Sequence, residues 1–389
     1  MKRKHIWMAV AETALCATLL MACGVPSSAS ANKTSGAKKT ITLWAGGSDN
    51  VRTQFNQQVE KFNSTNKLGY TVKLEFILSG TGAQGLSDRV IAAEKAGQKN
   101  TDFDVIELGD DEFLNYTTQG GAGIFSKLDK SKIVNYKNLK TKPTFGADYV
   151  VPYRGTTVVL AYNSATVSTP PKTTDELYSW IKAHPGRFAY NTPDSGGAGS
   201  SFVMTTVYNY LSKDAMTSTD KKWEDQWDQG FAKLKELAPY MYKSGGKVVY
   251  PNKNQGTLDL LANKEVDMIP AWADMVISQK SQGTLPDSIK MTQLTPSFTG
   301  STVTFGIPSI GSNPDGAYAF IDYMLTPQAQ NIALKSMAAI PVIDISKLDS
   351  SLTGTISGLK VDTFRMGSIG PLGTDLNTRW SKDIGSATK

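Results

Sequence analysis

The chain has 389 residues, with 41 basic against 35 acidic side chains and a formal net charge of +6. Lys2, Arg3, Lys4, Lys33, Lys38 and Lys39 carry the excess, so the body from Ile41 onward is close to neutral and offers no basic face for nucleic acid. Cys16, Cys23 and His5 all precede that body, leaving His184 alone, which excludes structural disulfides and thiolate sites and disfavours histidine-based metal sites and triads.

The first 22 residues have a basic start, an apolar run interrupted by Glu12, and a small residue, Ala22, before Cys23. That is the pattern of an export signal, and it is too short and broken for a membrane span of roughly 20 apolar residues. Gly24 to Lys39 is rich in Ser, Ala, Gly and Lys without apolar period, the composition of a flexible tether.

A strand is expected at Ile41–Ala45, ending in Trp44-Ala-Gly46-Gly47. Val51, Phe55, Val59 and Phe62 then repeat at helical spacing, with Asp49 as the expected N-cap. A second strand at 71–78, a helix at 86–96 and a third strand at 103–108 complete a β-α-β-α-β order, which argues a parallel sheet. Gly80-Thr-Gly82-Ala-Gln-Gly85 formally matches a dinucleotide fingerprint. It follows the second strand, however, and a flexible turn explains its glycines as well, so no cofactor is expected. Gly109, Asp110 and Asp111 follow the third strand.

Val150 to Asn163 is a β-branched run broken by Pro152 and Gly155, long enough to leave one sheet and enter another; it carries Tyr153 and Arg154. Thr173-Thr-Asp-Glu176 reads as a capping box. Phe188–Tyr190 suits a buried strand, and Asn191 to Gly199 is a loop dense in turn formers. Val203, Val207, Tyr210 and Leu211 define one helical face, with Ser200 or Ser201 at the helix start. Such a glycine loop entering a helix either seats a polar or anionic group on free N–H donors or makes only a tight turn. Trp223 and Trp227 read as core packing, and Lys243–Lys247 as a loop. A strand at 266–269 leads to Trp272 and Asp274, a β run at 301–307 returns the chain, and helices follow Ala317 and Thr326.

Leu20-Met21-Ala22-Cys23 resembles a bacterial lipobox. The Tyr190–Phe202 segment is similar to the ligand-touching strand-loop-helix of ferric-iron, thiamine and sulfate binders, and Phe320–Gln330 to their late helix pair. Together these resemble the extracellular solute-binding proteins of ABC importers. The resemblance implies a type II periplasmic-binding fold: two α/β lobes, each a mostly parallel sheet flanked by helices, joined by crossing strands at Val158–Ala161 and Val303–Gly306. It implies residues 41–157 and 305–389 in lobe one and 158–304 in lobe two. The expected protein is a monomer, held at the extracytoplasmic membrane face by lipid on Cys23, which feeds a small solute to a permease.

Because open α/β sheets bind ligands beyond strand C-terminal ends, the expected contacts are Trp44, Gly46, Gly47, Asp110, Asp111, Tyr153, Arg154, Gly199, Ser200, Ser201, Trp272 and Asp274. Arg154 and the Ser200 helix end favour an anionic group. The aspartates and tryptophans favour a cation, and the sequence leaves both open. No enzymatic activity is expected. A serine hydrolase would need Ser200 or Ser201 with His184 as base, and a surface lipoprotein without a transport role is the other alternative.

Overall fold

The computed structural model describes residues 39–78, 85–357, 359 and 365–386. The signal, Cys23, the tether up to Lys38 and the Gly80–Gly82 part of the fingerprint lie outside the described residues.

The opening β-α-β-α-β unit forms with little change: β1 (Lys39–Gly47), α1 (Asp49–Thr65), β2 (Tyr70–Leu78), α2 (Leu86–Lys95) and β3 (Val105–Leu108), followed by α3 (Asp110–Gly120). β1 lies between β2 and β3 and is parallel to both. Helix α1 buries Val51, Phe55, Val59 and Phe62 as its period requires. It also buries Gln54 and Gln58; the Gln54 side-chain amide donates to Gln58 Oε1 at 2.8 Å, and that of Gln58 to Ala329 O at 2.9 Å. Ser48, not Asp49, is the N-cap residue; Asp49 occupies the first turn and pairs with Arg52.

β4 (Val150–Asn163) is the strand on which the rest turns. After it come α4 (Thr174–Ala183), α5 (Gly197–Tyr208), α6 (Asp228–Leu237), a small hairpin of β5 (Lys243–Ser244) and β6 (Lys247–Val248), and α7 (Lys253–Ala262). Then follow β7 (Met268–Trp272), α8 (Ala273–Ser281), β8 (Ile289–Thr292), β9 (Thr299–Gly306), α9 (Pro314–Met324), α10 (Pro327–Met337), α11 (Ser350–Thr353), β10 (Arg365–Met366) and α12 (Leu372–Trp380). The Thr173 hydroxyl caps α4 by accepting from Glu176 N–H, and Thr326 caps α10 in the same way. The Lys243–Lys247 loop is the turn of the small hairpin, and both its glycines, Gly245 and Gly246, have positive φ.

From Val150 to Thr157, β4 pairs antiparallel with β9; from Val158 onward it pairs with β7 and β8 instead. One strand therefore belongs to two sheets, and a core lies on either side of the change. Ile41, Phe55, Phe62, Tyr153, Phe305 and Phe320 share one core. Phe188, Tyr190, Phe202, Trp227, Phe231 and Trp380 share the other. The molecule is thus a two-lobed α/β fold in which β4 passes from one lobe to the other. Its parallel pairing is concentrated in β2–β1–β3, while β9 runs antiparallel to β3 and β4.

β9 already joins the first sheet at Gly300, opposite Thr157, and Phe298 packs in the second core. Val303–Gly306 therefore lies inside the first sheet. Ile369, Leu372, Leu376, Trp380 and Ile384 pack in the second core. Their aromatic and branched side chains fill space against Tyr190 and Tyr250, which no local pattern specifies. Phe188–Tyr190 makes only an isolated parallel bridge, Phe188 to Met268.

Candidate functional site

β1 and β3 run toward the β4 changeover from one sheet, ending at Gly47 and Leu108, and β7 runs toward it from the other, ending at Trp272; α1, α3 and α8 follow these ends. Beside them β4 carries the hinge. At the centre stands a buried polar network. Glu107 is an acid inside the apolar strand β3. Its Oε1 accepts from the Tyr153 hydroxyl at 2.5 Å and from Arg154 Nη2 at 3.0 Å, while its Oε2 accepts from Gly46 N–H at 3.3 Å. Arg154 Nε also donates to the Tyr153 hydroxyl, 2.7 Å away. Burial pushes the Tyr153 hydroxyl well above its ordinary pKa.

Across the hinge, Asp274 in the first turn of α8 accepts from the Asn50 side-chain amide of α1 at 2.8 Å and from the Thr156 hydroxyl at 3.2 Å. Burial raises the Asp274 pKa, and the Arg154 charge opposes that rise. The structure therefore brings together Gly46, Tyr153, Arg154 and Asp274 from the expected set, and adds Asn50, Glu107 and Thr156.

Other expected residues have different work. Trp44 is buried among Val90, Phe103 and Ile106. Its indole N–H donates to Asp102 O at 3.0 Å, and the Arg89 guanidinium lies 4.5 Å from its ring centroid. With both faces occupied it presents no flat wall. Gly47 holds a φ of 141° at the turn into α1. Tyr153 is buried and stacks on Phe305, centroids 4.2 Å apart.

The glycine loop departs furthest from expectation. Helix α5 starts at Gly197, so Ser200 and Ser201 lie within it and not at its cap. It is buried all round except near its start, and ends before Tyr210 and Leu211. Its early N–H donors are already used: that of Ala198 bonds to Asn254 Oδ1 at 3.0 Å and that of Gly199 to Asn191 Oδ1 at 2.9 Å. Two asparagine carbonyls thus fill the seat expected for an anion. The Ser201 hydroxyl, also buried, accepts from Thr299 N–H at 2.9 Å and lies 2.7 Å from the Thr299 hydroxyl, tying α5 to β9. Gly197 remains exposed beneath half-buried Trp272, close enough that a Cβ there would stand 2.7 Å from the indole.

At the start of α3, Asp110 is buried and burial raises its pKa. Asp111 accepts from Gly370 N–H at 2.8 Å, and burial pushes its carboxyl up to about 6. Glu112 accepts from Gly109 N–H at 2.7 Å. Surrounding protein pushes Glu112 up to about 7, with Glu107 and Asp111 adding to the rise. Asp111 and Glu112 are nevertheless reached by solvent.

Among the described residues no group of three or more His, Cys, Asp or Glu is placed to hold a metal, and no helix is long and apolar enough to cross a membrane. A surface hollow of about 510 Å³ near Lys221, Asp375 and Arg379 lies on α12, away from the strand ends. Its charges pair with one another, Lys221 with Asp375 and Arg379 with Asp383, both at 3.7 Å.

The fold recurs in known structures. An ABC transporter substrate-binding protein from Bradyrhizobium japonicum superposes with a TM-score of 0.67 at 20% identity, over 89% of this chain and 100% of the other. The ferric ion-binding protein A of Pasteurella haemolytica gives 0.62 at 13% identity, over 89% and 96%. A periplasmic thiamin-binding protein gives 0.63 at 14% identity, over 90% and 97%. No curated protein sequence matches significantly. The family model described as bacterial extracellular solute-binding protein matches residues 57–353, and the chain belongs to that family.

Proposed function

We propose that the protein is a lipid-anchored extracytoplasmic receptor that captures a small solute bearing a cationic group between its lobes and delivers it to an ABC permease. In this reading lobe one comprises 41–157 and 299–359, and lobe two 158–298 and 369–386. The observation that carries the charge sign is the state of the two features expected to attract an anion. Arg154 is neutralised by Glu107, and the α5 donors are taken by Asn191 and Asn254. Glu112, by contrast, keeps one carboxylate oxygen without a hydrogen bond to the described protein. Trp272 offers a partly exposed ring over Gly197 for cation–π contact. Some structural neighbours are described as a thiamin binder and a ferric ion binder, and those solutes carry positive charge. The serine hydrolase alternative finds no support in the local geometry. Ser201 is bonded to Thr299, and His184 stacks on Trp180 and bonds to its carbonyl.

A thermal-shift screen of polyamines, thiamine compounds, oxyanions, sugars and amino acids tests the charge sign. Stabilisation by amines and none by oxyanions is expected; the reverse pattern sinks the cationic reading. For the solute found, Glu112→Gln is expected to weaken binding by about 1.5–3 kcal/mol, the range for a hydrogen bond to a charged group. Calorimetry on the variant decides this, and unchanged affinity removes Glu112 from the site.

The pH dependence has two opposite signs. Asp111 and Glu112 have folded pKa values above their ordinary ones. Their protonation therefore favours the folded body, and that stability is lost as pH rises through about 6 to 7. Both groups are solvent-reached, so screening holds the gain to about 1–2 kcal/mol, roughly 1.5–3 °C in Tm for a body of this size. Affinity for a cationic solute is expected to fall over the same acidification, because Glu112 loses its charge. Melting curves and titrations at pH 8 and 5.5 check both signs; affinity that rises in acid contradicts the reading.

The mature N-terminus is expected to be an acylated Cys23. Mass spectrometry of the membrane fraction checks this, and a chain that retains residues 1–22 or starts elsewhere overturns the anchor.

A further inference from the structure

The chain touches both lobes a third time, in a segment that neither hinge strand contains. Leu352, Ile356 and Leu359 pack with the first core. β10 then pairs with the start of β9, Arg365 opposite Thr299 and Met366 opposite Gly300. From there the segment is fixed to lobe two. Arg365 donates to Tyr208 O at 3.2 Å and to Asn209 Oδ1 at 2.5 Å, Ser368 N–H donates to Met216 O at 2.9 Å, and Ile369 is fully buried in the second core. One residue later it is fixed to lobe one, where Gly370 N–H donates to Asp111 Oδ1 at 2.8 Å.

Gly370 is where the two sides meet. Its φ is 56°, and a Cβ there would lie 2.9 Å from Thr219 Cγ2 and 3.2 Å from Leu114 Cδ1. Thr219 follows the Ser218 turn near buried Met216, while Leu114 is on α3. Asp111 stands in the first turn of α3, where the helix dipole favours a carboxylate. The groups facing it are Asp110 and Glu112 on the same helix, the Tyr208 hydroxyl from α5, and the Ser368 hydroxyl and Ile369 N–H of the segment itself. No basic side chain is among them, so Asp111 is the acceptor that holds the strap and not one half of an ion pair.

We propose that residues 365–370 form an interlobe strap, fastened to lobe two by Arg365 and Ser368 and to lobe one by Asp111, that limits how far the lobes separate in the solute-free protein. Asp111 is then a positioning residue for the hinge and not a solute ligand. The two hinge strands alone are a flexible pair of crossings; a third tie displaced from them opposes rotation about their axis. The proposal rests on the two-lobed capture reading, but its test needs no solute, so the two fail independently.

Among the described residues every core residue lies between Ile41 and Ile384, and the sequence from Ile41 onward contains no cysteine. Spin labels can therefore be placed at Leu68→Cys on lobe one and Val249→Cys on lobe two, both exposed positions. Pulsed electron resonance on the solute-free body should give one narrow distance distribution. Asp111→Ala should add a longer-distance population, and Asp111→Asn, which keeps the acceptor oxygen, should restore the narrow one. A distribution unchanged in Asp111→Ala, or an Asn variant that spreads like the Ala variant, overturns the strap. If the Ala variant does not fold, hydrogen exchange on the unsubstituted body decides. The Gly370 amide should exchange at least about 100-fold more slowly than an open chain, and exchange at the open-chain rate overturns the proposal.

Discussion

Gly199→Ala is expected to destabilise the body by about 1.5–5 kcal/mol, although it adds a single methyl group in a helix. The helix α5 passes so close to the Asn191 backbone that a Cβ at Gly199 would stand 2.0 Å from Asn191 O and 2.9 Å from its carbonyl carbon. Backbone cannot rotate aside as a side-chain tip can, so the helix start must shift. The shift stretches the bond from Gly199 N–H to Asn191 Oδ1 and disturbs those from the Asn191 amide to Thr192 O and Gly196 O. Overpacking contributes about 1–3 kcal/mol and the lost cap about 0.5–2. For a body of this length the sum is a fall in Tm of about 2–7 °C. Gly197→Ala makes the contrast. Its Cβ would meet the Trp272 indole first, a side chain that can turn, so that variant should keep its Tm and change its tryptophan fluorescence. Equal melting of Gly199→Ala and the parent removes the packing argument.

The position of Gly199 shows what was and was not legible in the sequence. The glycine-rich loop and the helix behind it were readable from turn formers and apolar spacing. What the glycines serve was not. Two of the donors assigned to a ligand are taken by Asn191, eight residues back, and Asn254, on α7. A contact between residues more than fifty apart leaves no local signature. The same holds for Trp44: its strand was plain, but the occupants of its two faces, Arg89 and Phe103, come from the α2–β3 region. The β-α-β-α-β order and the long run of β4 were legible because periodicity and β-branching are local. The return of α12 to the second core was not, since Leu372, Leu376 and Trp380 read equally well against either lobe. One signal was present and passed over. Glu107 interrupts the apolar run Val105–Leu108, and a charge in a buried strand demands a partner. Arg154, already singled out, is that partner.

Glu107→Ala is accordingly expected to cost about 3–5 kcal/mol, the penalty for leaving half of a buried ion pair. The Glu107 and Arg154 side chains are only 5% and 8% exposed, so the guanidinium left behind cannot recover water. The substitution also removes the acceptor for the Tyr153 hydroxyl and for Gly46 N–H. Asp274, the next acid near Arg154, is itself engaged by Asn50 and Thr156. The pair does not thereby contribute 3–5 kcal/mol to folding, because desolvating two charges opposes most of their attraction. Glu107→Gln combined with Arg154→Met, which removes both charges and keeps volume, should therefore recover most of the loss. Denaturant melts of the parent, the Ala variant and the double variant measure the difference. The double variant also separates fold from function. On the cationic reading it should retain solute affinity within a few-fold, since neither charge is free to meet the solute. A folded double variant that loses binding altogether would return Arg154 to the ligand and reverse the sign assigned to the site.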